Sequence, residues 1–241
     1  MFGYDVQALR KLLSAILQQN NTADAWTWLS KQGDINNVAA FNAAFVMMPR
    51  KTGKVVVSIT SEQKAQLNTI RPGFNIAGWT AERLGRVFLF IQADAKYQEH
   101  YIKTIENLFL AGEMKELVAL YSALPVLAYP ESWIKRCAEG IRSNIGIVLE
   151  AIMYHNPYPS EHLSEDAWNQ LVMKAIFTEK DLGQITGLQE RNNPELVRIL
   201  LDHARERGAA GRTVVPELWQ LSEPIVGAAA IADLKQQYSL N

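Results

Sequence analysis

Cysteine is nearly absent: Cys137 is the single thiol in 241 residues. One thiol excludes an internal disulfide and a zinc-thiolate cluster, and it points to a reducing compartment, so a cytoplasmic protein is expected. An excess of one charge sign is also missing. With 24 Lys plus Arg against 25 Asp plus Glu, the formal charge is -1, which gives no long-range pull toward nucleic acid or an anionic bilayer, and no basic tail acts locally in its place. Nucleic acid is therefore not an expected partner. The longest apolar runs, Val87 to Ile91 and Ile145 to Leu149, fall far short of the ~20 residues that a membrane span requires, so the chain is not expected to be membrane-spanning. Its first segment is interrupted by Arg10, Lys11, Gln18 and Gln19 and does not read as a secretory leader. The common catalytic signatures are missing as well: no G-x-S-x-G, H-E-x-x-H, Walker loop, C-x-x-C, or G-x-G-x-x-G after a strand occurs. His155, Glu161 and His162 have a spacing that fits no metal geometry, so neither a metal nor a cofactor is expected.

What is present is helical periodicity. Val6, Leu9, Leu12, Leu13, Ile16 and Leu17 form one stripe of a first helix from about Tyr4 to Gln19, which Asn20 and Asn21 end. Thr22 caps a short second helix, and Asn36 or Asn37 opens a third that Pro49 is expected to close near Met48. Lys54 to Thr60 is the one β-branched interruption and predicts a short extended piece. A helix opens at Ser61, and Thr80 caps a strongly apolar helix from Ala81 to Gln92 that should be buried on most sides. Further helices are predicted at about 95–111, 113–123, 130–142, 144–154, 165–177 and 194–207. The expected fold is all-α and a single domain over 1–241. Its helices would form a stack of antiparallel pairs, either an α-α superhelix or an irregular bundle, with at most one short strand or hairpin near Lys54 to Thr60. No side-chain pattern recurs at a fixed repeat period.

The candidate chemistry lies in isolated polar residues among apolar ones. Glu150 sits in the middle of an otherwise apolar helix, and a buried carboxylate must be paired or protonated. Arg142 would be ~12 Å away along a shared helix, so the partner should come from elsewhere. Lys174, the one charge after Asp166 in its helix, is the natural candidate, with Gln170 one turn before it. Arg142, Asn144, Glu150, Asn169, Lys174 and Asp202 are expected to converge on one interior polar cluster. His155 and Asn156 are presented beside it by a loop stiffened by Pro157 and Pro159. Such a cluster reads either as a ligand pocket or as a structural ion pair that fixes helix register. Arg198 and Asp202 form an expected i,i+4 pair on a solvated face, and His203 lies at the edge of an apolar stripe. Arg50, Lys51 and Lys54 around Gly53 read as an anion holder or as an exposed turn.

Several strings in order resemble the EboA family: Ala138 to Asn144 (AEGIRSN), Asn156 to Pro159 (NPYP), Ala167 to Gln170 with Lys174 to Phe177, Ala209 to Arg212, and Pro216 to Trp219. Trp79 to Arg83 (WTAER) and Leu117 to Pro125 extend the resemblance upstream. The resemblance implies a bacterial gene cluster that also encodes a UbiA-type prenyltransferase, a TatD-like hydrolase, a sugar-phosphate-cyclase-like enzyme and a sugar-isomerase-like protein. Such clusters are linked to making or trafficking small metabolites, including export of a pigment precursor, and the family carries no settled activity. Where relatives tend to read Asp-Tyr-Ala-His-Glu-Arg-Trp, this chain has Asp202-His-Ala-Arg-Glu-Arg-Gly208, so a histidine at Arg205 and an aromatic wall at Gly208 are lost. Two functions are open. One is a non-catalytic helical binding or accessory protein that holds a small metabolite, such as an isoprenoid-derived one, or docks a partner enzyme of the cluster. The other is an enzyme of cyclase or transferase type acting on that metabolite, with Glu150 as acid or base.

Overall fold

The computed structural model describes residues 1–238, and among them it is all-α: fourteen α-helices, three short 3₁₀ turns and no strand. The chain divides into two compact units, Met1–His162 and Leu163–Asn241.

The first unit holds α1 (Val6–Asn20), α2 (Ala23–Leu29), α3 (Val38–Thr52), α4 (Ser61–Ile70), α5 (Ala81–Gln92), α6 (Gln98–Ala111), α7 (Met114–Ala123), α8 (Ile134–Arg142), α9 (Gly146–Met153) and α10 (Tyr158–His162). Local chemistry sets these limits. Asp5 accepts from the backbone N–H groups of Gln7 and Ala8 to start α1. The amides of Asn20 and Asn21 donate to the carbonyls of Ile16 and Leu17 and close it. Thr60 and Gln63 form a reciprocal capping box at α4. Packing is organised by alternate helices: α5 lies against α1, α3 and α7, and α7 lies against α9. The reason is apolar surface. α5 buries residues on every side, whereas α4 buries only Leu67 and stays peripheral. Packing of every second helix in this way occurs both in an α-α superhelix and in an irregular bundle.

Pro49 does not close α3, which continues one turn to Thr52 before Gly53 takes φ 74°. A proline in a helix interior leaves the carbonyl four residues earlier without its donor, and that loss ordinarily breaks the helix. Here the orphaned carbonyl is that of Phe45, and the buried Arg86 of α5 donates its Nε–H to it at 3.0 Å. The same guanidinium reaches Glu82 at 3.3 Å and Glu116 at 3.6 Å, so a three-residue charge network stands in for one missing backbone hydrogen bond.

The β-branched piece after Gly53 forms one antiparallel bridge, Val56 to Thr80, with Val57 N–H donating to Trp79 O and Ala81 N–H to Val55 O. Its far edge is closed by a side chain: Asn20 accepts from Ser58 N–H at 2.7 Å and donates to Ser58 O at 2.9 Å. Paired on both edges without a second strand, it needs no sheet. A buried irregular stretch, Leu124 to Ala128, is supported in the same way, its carbonyls accepting from Arg71 Nε at Pro125, Tyr4 OH at Val126 and Trp133 Nε1 at Ala128. Close approach explains one glycine. A Cβ at Gly140 of α8 would lie 2.5 Å from Ile152 Cδ1 and 2.5 Å from Tyr121 Cε1.

The second unit holds α11 (Glu165–Phe177), α12 (Pro194–Ala209), α13 (Pro216–Val226) and α14 (Ala228–Tyr238), with α12, α13 and α14 packed on one another and α11 on α12. Ser164 and Asn193 cap α11 and α12 through their side chains. The sequence reading ended its helices at Arg207 and so missed α13 and α14. Pro216 at the first turn of α13 and Gly227 at φ 84° between the two are their start and stop signals.

Candidate functional site

Of the residues singled out in sequence, those in the first unit are placed as follows. Arg142 and Asn144 are exposed, and Arg142 ends α8 rather than sharing a helix with Glu150. The chain breaks at Ser143, whose hydroxyl accepts from Ile145 N–H, so a distance measured along one continuous helix does not apply. His155 is exposed at φ 51°, a left-handed conformation that costs a non-glycine residue about 1 kcal/mol. Asn156 is buried and fully committed. Its amide donates to Tyr121 O at 3.1 Å and Ala151 O at 2.9 Å, and its carbonyl accepts from Tyr158 N–H at 3.0 Å. Asn156 therefore pins the turn after α9 to α7.

Glu150 is half-buried on α9. Within its unit it acts electrostatically on Arg83 of α5, a residue the sequence reading did not select. The Arg83 guanidinium carbon lies 4.1 Å from the centroid of the Trp79 ring, and its Nε–H donates to Ser122 Oγ at 2.9 Å. Ser122 in turn donates to Val118 O on α7. Burial pulls the Arg83 pKa down to about 10, and the Glu150 charge opposes that pull. A cation thus lies between an aromatic face and a hydroxyl, with a carboxylate acting on it through its charge. The signal was present in the sequence. Trp79 and Arg83 belong to one of the strings quoted above and Ser122 to another, and the fold brings the two together at Glu150.

No activated nucleophile accompanies this group. The Cys137 thiol is buried and pushed well above its ordinary pKa, and the Ser122 hydroxyl spends its proton on a backbone carbonyl. Among the described residues no group of three or more His, Cys, Asp or Glu side chains is placed to hold a metal ion. Among the described residues no helix is long and apolar enough to cross a membrane.

In the second unit Asn169 is buried and exchanges amide hydrogen bonds with Asn193, at 2.9 and 3.3 Å. Asn193 also caps α12 through Leu196 N–H. Asn169 lines an open cleft of about 340 Å³ together with Asp166, Gln170, Met173, Glu195 and Ile199. Lys174 is half-buried on α11. Asp202 pairs with Arg198 at 2.9 Å, as its i,i+4 spacing predicts, and with Arg205 at 2.7 Å, on an exposed face. His203 stacks edge-on against Phe177 at 4.9 Å, and partial burial lowers its pKa.

The family described as "Metabolite traffic protein EboA" matches residues 9–223, which is most of the chain. The chain belongs to the EboA family. No curated protein and no solved structure matches it. The family match covers both units, from Leu9 of α1 to Glu223 of α13, and so contains both the Arg83 and Glu150 group and the Asn169 cleft.

Proposed function

We propose that this EboA family member is a non-catalytic binding or accessory protein in the making or trafficking of a small metabolite, and that Glu150, backed by Arg83, is the polar group such a ligand meets. The observation that carries the reading is this cation. Arg83 is held against Trp79 and Ser122 with the Glu150 charge acting on it, and an ion pair at a half-buried position suits a hydroxyl or amine on a largely apolar molecule. The family description supports traffic rather than turnover. The buried thiol and committed hydroxyl supply no covalent step. An isoprenoid-derived ligand, a partner enzyme from the same gene cluster and a cytoplasmic setting belong to this proposal. Lys174 enters it as the charge of α11 whose loss should be felt in output rather than in folding.

Pathway output in cells, set beside thermal melts of the purified variants, tests it. Glu150→Gln keeps shape and removes charge, so output should be lost by a protein that still melts cooperatively, at a cost of a few kcal/mol at most, and Lys174→Met should behave alike. Arg83→Met should lose output and about 1–3 kcal/mol of stability, because it leaves the Ser122 and Glu150 oxygens without their cation. Normal output from Glu150→Gln contradicts the reading. Conversion of a metabolite by the purified protein would replace it with an enzyme of the cyclase or transferase type.

A further inference from the structure

The outer face of α3 and the turn after it combine two properties that solvated surfaces keep apart. Val46 is 56% exposed, Val55 72% and Val56 57%, with Met47 beside them on α3. Ala39, Ala43, Val46, Met47 and Arg50 recur at spacings of three and four, all exposed, so one outward stripe of the helix is apolar and ends in a cation. Lys51 and Lys54 follow, both exposed, and no acidic residue occurs between Asp34 and Glu62. The macrodipole of α3 explains cations in its last turn, but it gives no reason for exposed valines and a methionine among them. The valines are also held in place, since Val55 O and Val57 N–H are pinned by Ala81 and Trp79. Lys51 lies 5.6 Å from the Trp28 ring centroid, which adds a half-buried aromatic to the edge of the patch. The nearest acids in the sequence are Asp34 and Glu62, which flank the segment, and Asp24 on α2.

We propose that this face, formed by Val46, Met47, Arg50, Lys51, Lys54 and Val55, docks on the surface of an anionic lipid bilayer. The chain would lie on the membrane without crossing it. Charge complementarity selects the occupant: three cations and no acid meet phosphate headgroups, while the protruding valines enter the boundary with the acyl chains below them. Arginine and lysine stems reach past apolar neighbours to the headgroups, so the two properties serve one surface. The proposal stands apart from the ligand reading and uses none of its residues.

Co-sedimentation of the full chain with phosphatidylcholine vesicles, with and without phosphatidylglycerol, tests it. Binding should require phosphatidylglycerol and weaken at high salt. Removing both Arg50 and Lys54 with glutamine should lower the vesicle partition coefficient about 25-fold, from about fivefold for each cation near the surface. Val46→Thr with Val55→Thr keeps β-branching and charge, and it should lower binding several-fold with the thermal melt unchanged. Absence of binding to phosphatidylglycerol vesicles overturns the proposal. So does binding that falls with the charge variant but not with the threonine variant, because that pattern marks a purely electrostatic surface of the kind an acidic protein takes.

Discussion

Arg83 and His155 show how differently two residues can be read from sequence. Arg83 lies in α5 between the charges Glu82 and Arg86, so nothing in its neighbourhood marks it as alone. Its role appears only when α7 and α9 bring Ser122 and Glu150 to it. His155 was conspicuous, next to two prolines, yet its side chain is exposed and the feature that distinguishes it is φ 51°. A turn of that hand prefers glycine. His155→Gly should therefore stabilise the protein by about 0.5–1 kcal/mol in denaturant unfolding if the imidazole has no task, with metabolite output unchanged. Stabilisation together with lost output would show strain kept for function. Asn156, beside it, was selected as a presented side chain and proves to be the tie that holds the turn.

Among the elements, caps and stripes made most of the fold legible. Thr22 and Thr80 each cap the helix that follows, as expected, and the five apolar residues Leu9, Leu12, Leu13, Ile16 and Leu17 face the core as their spacing requires. What was not legible is long-range compensation. The continuation of α3 past Pro49 depends on a donor 41 residues away in sequence, Arg86 to Phe45 O, and no local pattern announces it. That dependence can be measured by a double-mutant cycle. Arg86→Met should cost about 3–5 kcal/mol, since it strands Glu82, Glu116 and the Phe45 carbonyl. Pro49→Ala restores a backbone donor to that carbonyl, so the same Arg86→Met change in its background should cost about 1 kcal/mol less. Equal costs in both backgrounds would mean that Arg86 does not substitute for the missing N–H.

At the scale of the whole molecule, totals conceal arrangement. A formal charge of -1 excludes a global field, but it averages over a segment from residue 35 to 61 that carries three cations and no acid. An all-helical class followed from periodicity. The central place of α5 did not, because it depends on which helices have apolar surface on more than one side. The site was partly legible for the same reason: Glu150 was marked by its apolar surroundings, while the cation beside it was hidden among other charges. The account turns on whether Glu150 and Arg83 serve a ligand. Native mass spectrometry of the protein purified from its own host addresses this directly, comparing the unaltered chain with Glu150→Gln. The unaltered chain should carry an added small-molecule mass that is released on unfolding, and Glu150→Gln should fly at its bare sequence mass while still melting cooperatively. An adduct retained equally by both proteins, or absent from both, would contradict the account.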